Sequence, residues 1–80
     1  MHMNQKVYND VMSGKSDSNI RFADFRNLLL SFGFRERIKG DHYIYKNDDM
    51  VERIVIQPKG NKAKPYQVKQ VRTLFRKYGL

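Results

Sequence analysis

At 80 residues the chain makes one domain near the lower size at which a single core folds alone, and with no cysteine it has neither a disulfide framework nor a thiolate zinc site to support it. No run approaches the ~18 apolar residues of a membrane span, and no apolar stretch at the start signals export, so a cytoplasmic protein with no membrane association is expected. Sixteen Lys and Arg against eight Asp and Glu, a net charge of +8, favour polyanionic partners: nucleic acid, an anionic membrane or an acidic protein.

Met1-His2 stands ahead of a second methionine and reads as an added start, which sets His2 aside. From Asn4 to Met12 the apolar Val7, Tyr8, Val11 and Met12 fall at helical spacing, predicting a short amphipathic helix that the turn-rich Ser13–Asn19 stretch ends. Residues 1–19 thus form a helical appendage and linker, and residues 20–80 the main domain. Phe22, Phe25, Leu28, Leu29 and Phe32 make one apolar stripe on a helix of about three turns, stopped at Gly33. The period then changes. Phe34, Glu36 and Ile38 alternate with Arg35, Arg37 and Lys39, which predicts a strand with one cationic face or edge. Gly40-Asp41 signals a turn, and His42-Tyr43-Ile44-Tyr45-Lys46 is β-branched and aromatic, hence a second strand. Arg53–Gln57 is the third, and the short spacings favour an antiparallel meander.

Pro58 to Lys64 reads as a basic loop, and Pro65 suits the first position of a last helix. Val68, Val71, Leu74, Phe75 and Tyr78 form that helix's apolar stripe, with Lys69, Arg72 and Arg76 sharing the opposite face. The order is an N-terminal helix followed by α-β-β-β-α, an α+β class. Two helices on one face of a three-stranded antiparallel sheet is its simplest two-layer packing. Tyr43 and Tyr45 lie on one face of the second strand and His42, Ile44 and Lys46 on the other; either face could meet the helices.

Metal-dependent nuclease chemistry needs carboxylates converging on one site, but the eight acids lie mostly in turns and no motif gathers them. Two histidines without cysteine also fall short of a zinc site, and no Gly-x-Ser-x-Gly elbow supports a serine nucleophile. No metal or other cofactor is therefore expected. Metal-free acid–base chemistry remains, and RNA suits it because the 2′-hydroxyl is an internal nucleophile beside the scissile phosphate. His42 is the candidate proton-transfer group, since imidazole exchanges protons at neutral pH. Lys39 is close in sequence, and Asp41 is a candidate modulator of the ring although neighbouring strand residues point to opposite faces. Lys39, Lys59, Lys62 and Lys64 are candidate phosphate-binding residues. Position alone leaves His42 an ordinary surface histidine at a strand start.

A resemblance adds to this. Gly40-Asp41-His42-Tyr43-Ile44-Tyr45, followed by Gln57-Pro58-Lys59-Gly60-Asn61-Lys62 and onward to Arg72, closely resembles HicA-type toxins of bacterial toxin–antitoxin modules. The likeness runs from about Phe22 to Leu80 and includes Gly33-Phe34 and the final Tyr78-Gly79-Leu80. It implies a double-stranded-RNA-binding-domain-like fold, metal-independent cleavage of mRNA, and silencing by a HicB-type antitoxin protein. It also implies that His42 is the family's histidine, with Asp41 where many members carry serine. The Asn4–Met12 segment lies outside the likeness. Two other functions fit the basic domain: a non-catalytic module that holds duplex RNA, and an adaptor that docks an acidic protein.

Overall fold

The computed structural model describes residues 4–80, so the expected added start, His2 included, lies outside the described residues. Three α-helices, α1 (Gln5–Ser13), α2 (Phe22–Ser31) and α3 (Pro65–Tyr78), surround a sheet of β1 (Arg35–Lys39), β2 (His42–Lys46) and β3 (Ile54–Ile56). The sheet is antiparallel in the order β1-β2-β3. Arg35 pairs with Lys46, Arg37 with Ile44 and Lys39 with His42, while Tyr43 faces Ile56 and Tyr45 faces Ile54. The α+β order and the helices on one sheet face agree with the double-stranded-RNA-binding-domain-like arrangement expected above.

The core decides which face of β2 turns inward. Tyr45 and Ile56 are fully buried and Ile54 nearly so, among Phe25, Leu28 and Leu29 of α2 and Val68, Val71 and Phe75 of α3. Tyr43 packs edge-on against Phe22 with ring centroids 4.8 Å apart. By the twofold alternation of a strand, His42, Ile44 and Lys46 therefore face outward. The tyrosines are packing residues, not stacking platforms for bases.

A polar clamp fixes this choice. Glu36 lies on the inner face opposite Tyr45 and receives both the Nε and a terminal nitrogen of Arg26, at 2.9 and 2.7 Å, together with the Tyr45 hydroxyl at 2.5 Å. Arg26 also stands 4.9 Å from the Tyr43 ring centroid. The hydrogen bonds from Arg26, with that from Tyr45, hold the Glu36 carboxyl below the usual carboxylate range. Burial, then the Glu36 bond, pushes the Tyr45 hydroxyl up. One face of the hairpin is thereby tied to α2.

Residues 4–19, expected as an appendage, share this core. Asn4 caps α1 by accepting from the backbone of Lys6 and Val7. Val11 is fully buried and Val7 nearly so. Arg72 of α3 donates to the Val11 carbonyl at 2.9 Å and grips both Asp17 oxygens at 2.9 and 3.1 Å. Arg76 donates to the Met12 carbonyl. Of the expected basic face of the last helix, Arg72 is thus an internal latch with only 11% of its side chain exposed, because the carbonyls at the end of α1 need donors.

The expected basic loop after β3 is instead a second small hairpin, β4 (Pro58–Lys59) and β5 (Lys62–Ala63). Its Phe22 N–Asn61 O and Ala63 N–Ile20 O hydrogen bonds stitch it to the start of α2. β3 itself is shorter than the expected Arg53–Gln57.

Candidate functional site

His42 opens β2 immediately after a two-residue turn. Gly40 takes φ +61° there, and among the described residues no non-glycine residue has positive φ. Glycine first and an ordinary residue second is the type II′ pattern, whose twist matches the flanking strands. The turn sets Lys39 and His42 directly opposite each other across the ladder. Both are exposed and lie on the outer face of the sheet. The His42 side chain is 52% exposed, and Asp41 Oδ1 stands 3.8 Å from its Nδ1, an ion-pair distance that is too long for a hydrogen bond.

The third strand brings a further group to the same end. Gln57 follows Ile56, the partner of Tyr43, and so continues toward His42 on the neighbouring strand. Its backbone N–H donates to Gln67 Oε1 and its side-chain oxygen accepts from Lys64 Nζ, each at 2.8 Å. Gln67 is the one buried polar side chain among the described residues, at 4% exposure. That anchored pair fixes Gln57, which in turn holds the Lys64 ammonium. Of the expected phosphate-binding residues, then, Lys39 faces His42 directly and Lys64 reaches the same sheet end through Gln57.

Lys59 and Lys62 sit apart, opposite each other on the small hairpin. Like charges on facing positions repel and destabilise a ladder, a cost that a bound anion relieves. Lys62 Nζ also donates to Asn19, and Arg21 bridges to Lys62 through the backbone. This second cationic group therefore includes Arg21.

Sequence reasoning passed over several cations that share a face with His42. Arg35, Arg37, Ile44, Lys46 and Arg53, with Glu36, line one depression at the sheet. Their common face was readable in the Arg35, Arg37, Lys39 alternation; the contribution of Lys46 and Arg53 needed the strand register. Gln57 and Gln67 gave no sequence signal, since a lone glutamine has no distinguishing spacing.

A larger concavity of about 450 Å³ lies between β3 and α3, lined mainly by Ile54, Val55, Tyr66 and Leu74, with Glu52 and Lys69 at its walls. Hydrogen bonds from Lys77 and then Tyr78 push the Glu52 carboxyl down to about 2, so it remains a carboxylate committed to its partners. Among the described residues no three histidines or carboxylates converge to hold a metal ion. No described helix is long and apolar enough to cross a membrane.

The arrangement offers one exposed imidazole, a lysine directly across from it, and cations on both sides. That set can move a proton and hold a phosphate. The family described as HicA toxin of bacterial toxin–antitoxin matches residues 22–80. No curated protein and no solved structure matches the chain.

Proposed function

Since the chain belongs to the HicA toxin family of bacterial toxin–antitoxin modules through residues 22–80, we propose that it is a metal-independent endoribonuclease that cleaves mRNA with His42 as its acid–base residue. One observation carries this reading: His42 is an exposed imidazole on the outer face of the sheet with Lys39 paired directly opposite. In the reaction the 2′ oxygen of the RNA attacks the adjacent phosphorus, its proton leaves, and the bond from phosphorus to the 5′ oxygen breaks as that oxygen takes up a proton. The product strand ends in a 2′,3′-cyclic phosphate. Neutral His42 accepts the 2′ proton, or protonated His42 donates to the 5′ oxygen. Lys39, and Lys64 held by Gln57, offset the charge that builds on the phosphorane.

Asp41 places a carboxylate 3.8 Å from His42 Nδ1, where it orients the ring. A HicB-type antitoxin is the proposed protein partner. It neutralises the toxin by covering His42 or the Lys59–Lys62 hairpin, and the mRNA substrate places both proteins in the cytoplasm.

The test is transcript integrity after induced expression of the wild type and of His42→Ala, paired with cleavage by the purified proteins in EDTA. General acid–base catalysis by one group contributes about 10²–10⁴-fold, so His42→Ala should lose cleavage by that factor, while EDTA leaves the wild type active. Wild-type rates from folded His42→Ala would remove His42 from the mechanism, and loss of wild-type activity in EDTA would remove metal independence.

A further inference from the structure

Resting on the ribonuclease reading above, we infer that the outer face of the three-stranded sheet is the track for the phosphate backbone of single-stranded RNA, with Arg37, Lys46 and Arg53 as its sequence-independent contacts leading to His42. Three observations support it.

The first is the charge on that face. Strand alternation puts Arg35, Arg37 and Lys39 of β1 on the same side as His42 and Lys46 of β2, and Arg53 joins Arg35, Arg37 and Lys46 around one depression whose single carboxylate, Glu36, is engaged by Arg26 and Tyr45. Arg35 pairs with the exposed Asp48 at 2.9 Å. Among the described residues no carboxylate lies within ion-pair distance of Arg37, Lys39, Lys46 or Arg53. Arg35 even faces Lys46 directly across the ladder, a repulsion that a bound polyanion removes.

The second is size. Three strands at about 4.8 Å spacing and five residues at about 3.3 Å rise give a face roughly 10 by 13 Å. That width suits one phosphate chain. A duplex presents two phosphate walls across a wide, shallow minor groove, and would need a broader surface.

The third is what the face lacks. Tyr43 and Tyr45 turn toward the helices, and the residues at its centre are Ile44 and Val55, which pair with each other. Without an aromatic there is no platform on which bases stack in sequence-tolerant single-strand binders. Affinity then rests on phosphate contacts, which carry no base information.

The experiment uses the full chain carrying His42→Ala, so that RNA survives the measurement, and reads fluorescence anisotropy of a labelled single-stranded RNA oligomer across a salt series. Each phosphate contact on a single strand contributes about 0.7 to the slope of log affinity against log salt. Adding Arg37→Gln, Lys46→Gln and Arg53→Gln should lower that slope by about 2. The fall in affinity between about 50 and 200 mM salt then shrinks by about 16-fold. A control with the same loss of charge, Lys6→Gln, Lys15→Gln and Lys69→Gln, should leave the slope close to that of the parent. Oligo(A) and oligo(U) should bind alike, and a duplex of equal length more weakly.

Equal slope changes in the two triple variants would overturn the track, as would tighter binding of duplex than of single strand. If RNA binds normally to the sheet variant, the track is again wrong while the ribonuclease reading stands. If the His42→Ala parent binds no RNA at any salt, the ribonuclease reading falls and takes the track with it. Circular dichroism of each variant confirms that the exposed substitutions leave the fold intact.

Discussion

Replacing Glu36 by alanine tests the clamp that sets which face of the strand carrying His42 points outward. Glu36 accepts two hydrogen bonds from Arg26 and one from Tyr45, and only 14% of its side chain is exposed. In Glu36→Ala the Tyr45 hydroxyl, on a residue with 0% exposure, loses the carboxylate to which it donates. An unsatisfied buried group costs about 1–3 kcal/mol. The lost pairing with Arg26 adds less, because a third of that side chain reaches water and solvent screens the pair. The total is about 1–4 kcal/mol, against roughly 4–12 kcal/mol for a domain of this length. For so small a domain 1 kcal/mol moves Tm by about 4–8 °C, so thermal unfolding followed by far-ultraviolet circular dichroism at pH 7 should show a drop of about 4 °C or more. A second arm uses pH. Arg26 holds the folded-state Glu36 carboxyl below its unfolded value, so its contribution is complete above the ordinary carboxylate pKa of about 4.3 and is lost as pH falls through the lower folded value. The stability gap between wild type and Glu36→Gln should be flat from pH 7 to about 5 and close below about 4. A loss under about 0.5 kcal/mol in Glu36→Ala, the ordinary range for a surface substitution, would refute the clamp.

The same physics yields four further expectations. Burial holds the Tyr45 hydroxyl up, so its contribution is complete below about pH 10 and lost above it, as the unfolded chain ionises first; wild type should then lose stability more steeply than Tyr45→Phe, and parallel alkaline curves would contradict this. Arg72→Lys should not rescue Arg72→Ala in urea unfolding, since lysine lacks the planar fork that spans both Asp17 oxygens and the Val11 carbonyl; full rescue would reduce the latch to a point charge. Val11→Ala removes two methyl equivalents from a fully buried site and should cost about 2 kcal/mol at about 0.8 kcal/mol per buried carbon plus a cavity term, whereas a merely appended helix would show almost no loss. His42→Ala alters an exposed side chain and should leave stability within about 0.5 kcal/mol; a large drop would mean that lost cleavage reports unfolding.

Much of the helix pattern was legible because each helix announces itself locally. The Phe22–Phe32 stripe, Pro65 at the first position of α3 and the Gly33 and Gly79 stops all lie within one element. The strand containing His42 was legible for the same reason. What escaped depended on contacts between residues distant in sequence. Tyr43 and Tyr45 against His42, Ile44 and Lys46 is an even alternation; the inward face is chosen by Glu36 and Arg26, ten residues apart. The Pro58–Ala63 hairpin has strands of two residues, too short for any period, and is held by Ile20 and Phe22 backbone groups. Arg72 looked like part of a solvated stripe because its partners, Asp17 and Val11, lie more than fifty residues earlier. For the site, His42, Lys39 and Lys64 converge at one sheet end, and the cations of β2 and β3 needed the register to be placed beside them.

The dependence of the core on α3 has a consequence for synthesis and for genetics. Val68, Val71 and Phe75 are completely buried, and the Phe75 ring packs on both Phe32 and Phe34, with centroids 4.9 and 6.4 Å away. Translation delivers α1, α2 and the whole sheet before this helix emerges, and until then the core they share lacks Val68, Val71 and Phe75. The growing chain thus has no complete core in which His42 and its surrounding cations hold their places. Under the proposed ribonuclease reading, a premature stop or frameshift anywhere upstream of Phe75 should therefore abolish growth inhibition as completely as His42→Ala. Spontaneous survivors of induced expression should carry such lesions spread along the whole reading frame, the last helix included.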